Sequence, residues 1–240
     1  MPLDVVGTVP ALVLGDEDQL KGEIWLSNST NAAINISAAT LTVTFGTGAE
    51  TGSLQISSGT SVGANTSKRL LISFGMQPFT PPGTYTASVD LTFDNPAGTQ
   101  SIPATVMIGE RVRIGLATAH AVFNTVAAST TTNSSVVVVN RGNLPFTVHA
   151  IADEPLFEVL STPRLLATGS GGVVVVQPAV GLTPLAQKLT FTNSTPTIPA
   201  GGWADVAFSL TTPATLPARA HLRALPRIGT ERFTIDLLTA

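Results

Sequence analysis

The sequence predicts an all-β protein built as two tandem antiparallel sandwich domains, and three observations carry that expectation. One pattern is written twice. Gly22-Glu-Ile-Trp-Leu-Ser-Asn28-Ser-Thr-Asn31-Ala-Ala-Ile34-Asn-Ile36 and Asn133-Ser-Ser-Val-Val-Val-Val-Asn140-Arg-Gly-Asn143-Leu-Pro-Phe146-Thr-Val148 align without a gap once Asn28 is set on Asn140. In each copy an apolar run stops at Asn, a short turn carries a second Asn, and an alternating strand follows, which is the pattern of a hairpin. Second, apolar residues recur with period two in short runs, and helical periodicity of useful length is absent. Third, Gly, Pro, Asn and Asp punctuate the chain about every ten residues, the spacing of a sandwich.

Leu3 to Leu14 reads as a first strand interrupted by Gly7 and Pro10, which suits an edge strand or one that switches sheets. Glu23 to Leu26 and Ala33 to Ser37 form the hairpin, Thr40 to Phe45 alternates, and Gly46 to Gly52 reads as a loop. Lys68 to Phe74 places Leu70, Ile72 and Phe74 on one face. Pro81-Pro-Gly-Thr-Tyr85 introduces a strand from Thr86 to Phe93, and Asp94-Asn-Pro-Ala-Gly98 turns the chain into Ser101 to Ile108. About seven strands in about 110 residues is the count of an immunoglobulin-like sandwich.

The second copy repeats the plan with a longer middle. Val206, Phe208 and Leu210 correspond to Leu70, Ile72 and Phe74, but the offset between copies has grown from 112 to 136. An insertion therefore falls within 152–198, where the Thr168-Gly-Ser-Gly-Gly172 loop and the strands Val173 to Val176 and Leu189 to Thr192 would add a strand pair or an extended loop. The last strand, Glu231 to Leu238, turns Phe233, Ile235 and Leu237 inward. The division expected is 1–110 and 111–240, each an immunoglobulin-like sandwich.

Ser135-Val-Val-Val-Val-Asn140-Arg-Gly-Asn-Leu-Pro-Phe146 and Pro81-Pro-Gly-Thr-Tyr-Thr-Ala-Ser-Val89 resemble segments of bacterial immunoglobulin-like modules, a broad group that includes PapD-like and Hydin-like sandwiches. Pilus chaperones of the PapD type also place two such domains in a chain of about this length, but their basic pilin-anchoring residues have no counterpart here. The resemblance implies binding or scaffolding rather than catalysis.

Composition points the same way. Hydrophobic residues make up 43% of the 240, enough for two cores of ordinary size. There is no cysteine, so no disulfide staples the fold. Charged residues are only 11% against about 25% in an average soluble domain. The surface is therefore rich in Ser, Thr, Asn, Gly and small apolar groups, readily buried against neighbours, as in secreted, cell-surface and particle-forming β-proteins. No apolar run reaches the length of a membrane-spanning helix. The start, Met-Pro-Leu-Asp-Val, has neither a basic segment nor a continuous apolar one, so a secretory signal is expected to be absent or already removed.

Cut after Glu110, the first part carries three basic and nine acidic residues, a net −6, and the remainder nine and six, a net +3. Opposite charges on the two parts favour head-to-tail attraction between copies. One tyrosine, few aromatics and a pI near 5.5 argue against nucleic-acid binding despite Arg219, Arg223, Arg227 and Arg232. These arginines suit an edge facing a protein or a polyanion.

Candidate chemistry is sparse. Gly59-Thr60-Ser61-Val62-Gly63 fits the nucleophile-elbow spelling, but that serine needs a strand-to-helix turn, and this stretch lies between strands. His120, His149 and His221 are the only histidines and lack the local spacing of zinc ligands; a three-ligand site from distant strands stays open. His149 is read as a half-exposed strand residue. Gly15-Asp16-Glu17-Asp18-Gln19 lacks the spacing of a calcium loop and is read as a solvated turn. Gly46, Gly48 and Gly52 lack dinucleotide spacing. No catalytic, cofactor-binding or metal residues are assigned, and no cofactor is expected.

The expected function is that of a non-enzymatic structural subunit of a filament, virus-like particle or surface layer, located outside the cell, at its surface or in an assembled particle. Its partners are proteins, chiefly copies of itself, joined through sheet edges, with strand addition through Leu3 to Leu14 or Glu231 to Leu238 as the sharpest version. The alternative is an accessory or chaperone-like module recognising a protein or polysaccharide through second-domain loops. For that reading, Trp203 exposed beside the insertion is the diagnostic feature.

Overall fold

The computed structural model describes residues 3–16, 19–45, 48–54, 60–95, 97–167 and 174–240, with the backbone path alone at 16, 45, 48–54, 161–167 and 174–180. The fold is all-β, with two curled sheets that form two β-sandwich domains. The chain divides into two compact units. Unit 1 is Met1–Val112 with Gly142–Leu144, and unit 2 is Arg113–Arg141 with Pro145–Ala240.

Unit 1 opens with β1 (Asp4–Val6), β2 (Ala11–Asp16) and β3 (Gln19–Asn28). Next come β4 (Ile34–Phe45), β5 (Gly48–Leu54) and β6 (Thr60–Val62). The unit closes with β7 (Thr66–Phe74), β8 (Gly83–Asn95) and β9 (Ala97–Ile108). Hydrogen bonds order them β1-β3-β2-β9-β8-β4-β5, with β6 on β4 and β7 on β3. Period-two alternation sends Leu20, Ile24 and Leu26, then Val89, Leu91 and Phe93, into one core, while Lys21, Glu23 and Trp25 face water.

The first strand is broken in two but does not change sheets: both parts pair with β3, and the second gains β9. β1 runs antiparallel to β3, with Val6 opposite Trp25. Past Gly7, whose φ of +111° needs glycine, and the cis Val9–Pro10 bond, β2 runs parallel to β9 and antiparallel to β3. Pro10 supplies no ladder donor, so the break falls between the two segments.

In unit 2, β10 (Ile114–Leu116), β11 (His120–Val126), β12 (Thr131–Asn140) and β13 (Phe146–Thr147) come first. A long hairpin follows, β14 (Glu154–Ala167) and β15 (Val174–Asn193), then β16 (Thr197–Ile198) and β17 (Trp203–Thr211). β18 (His221–Ala224), β19 (Arg227–Ile228), β20 (Glu231–Arg232) and β21 (Thr234–Thr239) finish the chain. The main sheet is ordered β10-β12-β17-β15-β14-β18-β21-β11, with β13 on β16 and β19 on β20.

The two units share one register. Trp25 faces Arg69 as Val137 faces Asp205, and Ile34 faces Val62 as Phe146 faces Ile198. The offset is 112 on the first member of each pair and 136 on the second. The extra length lies in the β14–β15 ladder, which runs from Glu154–Leu189 to Ala167–Val174, where its counterpart in unit 1 runs only from Ala39–Leu54 to Phe45–Gly48. The insertion is thus a strand pair. Its Thr168–Gly172 loop lies outside the described residues.

Of the two expected edges, Glu231 to Leu238 is not an edge, and Leu3 to Leu14 is one only in its β1 part. β2 is bonded on both sides, by β3 and β9, and β21 is bonded on both sides, by β18 and β11. Each is a flanked strand because a parallel neighbour closes its second side, so strand addition through Ala11–Asp16 or Thr234–Thr239 has no open ladder to join. Among the described residues, the main strand orders end at β1 and β5 in unit 1, where β6 and β7 also have one partner each, and at β10 and β11 in unit 2.

Candidate functional site

In β21, alternation turns Ile235 and Leu237 into the core and Asp236 to the outer face, yet Asp236 is only 5% exposed. Its cover comes from two neighbouring strands. Arg223, directly opposite in β18, binds the carboxylate through both oxygens, Nε to Oδ1 at 2.7 Å and Nη2 to Oδ2 at 3.0 Å. His120 of β11 places Nε2 2.7 Å from Oδ2. His221 of β18 places Nε2 3.1 Å from Oδ1, an ion-pair distance that lacks the alignment of a hydrogen bond. Burial alone pushes the Asp236 carboxyl up; the interactions with Arg223, His120 and His221 and the charge of Arg223 outweigh it and bring it down to about 2. The bond to Asp236 in turn pushes the Arg223 guanidinium up.

This cluster joins two of the three histidines, separated by about a hundred residues of chain, on an aspartate that sequence reading passes over. Its one signal is a lone acid on the outer face of an apolar strand. With Arg223 on both oxygens, the carboxylate is a clamp across β11, β21 and β18. Among the described residues, neither imidazole is hydrogen-bonded to a Ser, Thr or Lys hydroxyl or amine, and no three His, Cys, Asp or Glu side chains are arranged to hold a metal ion. In β14, burial pushes the Glu154 carboxyl up against the opposing pull of Arg227 and Lys188.

The other sequence candidates stand apart. Ser61 lies inside β6, paired with Asn35 of β4, and its carbonyl accepts a bond from Lys68 Nζ at 3.0 Å; no helix follows it, so the elbow geometry is missing. Gly59 lies outside the described residues, as do Glu17 and Asp18 of the acidic turn and Gly46 of the glycine-rich stretch. The backbone at 48–54 is strand β5 rather than loop. His149 is exposed and lies beyond the end of β13, because that strand stops at Thr147. Arg227 sits opposite Arg232 in the β19–β20 pair.

Unit 1 presents a surface of a different kind. Val6, Val9, Leu12, Leu14, Trp25 and Met107 are all more than two-fifths exposed. Val6 faces Trp25 and Leu14 faces Met107 in the ladder, while Leu12 shares the outer face of β2 with Leu14 and lines one cavity with Val6 and Trp25. β1 leaves β3 after Val6, and β2 rejoins it only at Val13–Gly22, so the strand break opens a gap over Glu23 and Ile24. That gap is a cavity of about 250 Å³ lined by Val6, Gly7, Ala11, Leu12, Ile24 and Trp25. Glu23 closes its rim, accepting from Trp25 Nε1 and from Arg69, each at 3.4 Å.

In unit 2, Trp203 is 66% exposed at the start of β17. β15 pairs with the other end of β17, from Phe208 to Thr211. Trp203 is therefore exposed, but away from the base of the inserted hairpin.

No family model matches the chain. No curated protein matches it either. Among solved structures, it is similar to a Pseudomonas fluorescens alkylpurine DNA glycosylase AlkC bound to DNA containing an abasic site analogue, at 14% identity over 43% of this chain and 30% of that one, with a TM-score of 0.28. It is similar to the class 5 fimbriae chaperone CfaA at 8% identity over 99% of both chains, TM-score 0.30. A chaperone–tip adhesin complex of CFA/I fimbriae biogenesis gives 10% identity over 100% of this chain and 99% of that one, TM-score 0.31. Scores of this size do not establish a shared fold, and the architecture rests on its own strand order and register. No helix among the described residues is long and apolar enough to cross a membrane.

Proposed function

We propose that this chain is a non-enzymatic structural subunit of a larger assembly, a filament, virus-like particle or surface layer, whose principal partners are copies of itself. One observation carries the reading: the apolar face of Val6, Leu12, Leu14, Trp25 and Met107 on unit 1. Monomeric soluble proteins seldom leave such a face open to water, and where one exists it marks an interaction site. The low charge content supports the same reading, since a surface of small and neutral groups packs against a neighbour with little desolvation cost.

Removing residues 1–14 is a poor test, because it takes Leu3, Ala11 and Val13 out of the core. The surface pair Leu14→Lys with Met107→Lys is the cleaner one. Assembly, followed by light scattering, is expected to be lost while circular dichroism stays that of the parent. A double variant that keeps the parent's particle size would contradict the reading.

The second reading, recognition of a protein or polysaccharide by unit 2, loses its diagnostic feature, because Trp203 is exposed away from the inserted hairpin. A shallow groove of about 570 Å³ lined by Asn133, Thr192, Asn193, Ser194, Phe208 and Ser209 is the feature that favours it. Glycan arrays against the intact chain test it.

A further inference from the structure

The cavity beside Trp25 is too small for an ordinary small-molecule site. At about 250 Å³ it falls below the roughly 300–1,000 Å³ of drug-sized pockets, yet it is apolar, open at its mouth and large enough for one bulky side chain. A pocket of this kind, ringed by further exposed apolar groups, is what an interface anchor fills. The exposed large apolar side chains of unit 1 mostly surround the cavity themselves. In unit 2, Trp203 is the largest and most exposed candidate among the described residues.

Charge favours the same match. Unit 1 holds four basic and nine acidic residues, a net −5, and unit 2 holds eight and six, a net +2. Locally, Asp4 and Glu23 flank the cavity on β1 and β3. At the Trp203 end of its sheet, Val139 lies between Trp203 and Gly115, and the Arg141 guanidinium lies alongside Gly115. Arg113, whose carbonyl accepts from the Arg141 amide, adds a second cation there.

We propose that Trp203 of one copy seats in the Trp25 cavity of the next copy. The inference rests on the assembly reading and names its contact. The two halves of this contact are different surfaces, so each copy keeps one knob and one hole free, and addition continues as a ring or an open filament. Opposite net charges steer the acidic unit of one copy towards the basic unit of another.

The test uses full-length chains and two complementary variants, Trp203→Ser, which keeps the hole, and Leu12→Asp, which keeps the knob. Trp25→Ser replaces Leu12→Asp if circular dichroism shows that the latter does not fold. The wild-type chain is expected to exceed its 24.7 kDa monomer mass, each variant alone to run as a monomer, and their mixture to form a one-to-one complex that grows no further. A wild-type chain that stays monomeric at every concentration overturns the assembly reading and this contact together. A wild-type chain that assembles while Trp203→Ser assembles equally well overturns the contact alone. So does a pair of monomeric variants that fail to combine.

Discussion

Asn28 and Asn140 tie the same loop in the two units. Each buried Nδ2 donates to two successive carbonyls, Val62 and Gly63 in unit 1 at 3.0 and 3.1 Å, and Ile198 and Pro199 in unit 2 at 3.1 Å each. The hairpin asparagine therefore recurs because it caps a second, distant loop. In unit 1 it also holds its own turn: Asn28 Nδ2 donates to Ala32 O at 2.8 Å, and Oδ1 accepts from the Thr30 amide and hydroxyl.

Asn28→Ala leaves the buried Val62 carbonyl without its donor, at a cost of about 1–3 kcal/mol. Urea unfolding of the variant should report a loss of stability in unit 1, and Asn140→Ala a loss in unit 2. Asn28→Asp keeps the acceptor but removes the donors, and should destabilise as well. Equal stability of parent and Asn28→Ala would remove the capping role.

The Asp236 clamp has a definite pH signature. Its carboxyl is lowered from 3.8 to about 2 by folding, so its contribution to stability is complete above 3.8 and is lost as pH falls through 2. Thermal unfolding followed from pH 5 to pH 2 should show the parent losing more stability than Asp236→Asn across that window. Parallel pH profiles for the two would refute the assignment.

His120 is the first residue of β11, an end strand held to β21 by parallel pairing that shifts register between Phe123 and Val126. With the bond to Asp236 removed in His120→Ala, the β11 end should open more often. Hydrogen exchange at residues 120–123 is expected to quicken severalfold, with unit 1 unchanged.

Gly229 adopts φ +59° in the turn between β19 and β20, where an added Cβ would lie 2.8 Å from Ile114 Cδ1 and 3.2 Å from Phe146 Cζ. Left-handed backbone alone costs a non-glycine residue about 1–2 kcal/mol, and the contact adds to it. Gly229→Ala should lower the unfolding midpoint of unit 2 measurably, and an unchanged midpoint would mean the turn relaxes freely.

The framework is legible because it is local. The gap-free match around Asn28 and Asn140 carries the hairpins, and the change of offset locates the longer middle that the structure forms as β14 and β15. Gly7 and Pro10 mark the break between β1 and β2 from chemistry contained in one dozen residues. What pairs on the far side of a strand is not local. That β2 and β21 each acquire a parallel neighbour, β9 and β11 respectively, depends on partners about ninety and a hundred residues away, so both read as open edges. Asp236 escapes notice for the same reason, since Arg223 and His120 meet it only across the sheet. The apolar surface of unit 1 stays hidden because period-two alternation distinguishes two faces without saying which apolar residues remain uncovered: Leu12 and Leu14 are no less apolar than Ala11 and Val13, which are the ones buried.

Sedimentation velocity of the untagged native chain, over a hundredfold range of concentration, decides whether its copies associate. The account expects species well above 24.7 kDa whose share rises with concentration. A single monomer boundary throughout that range would contradict it.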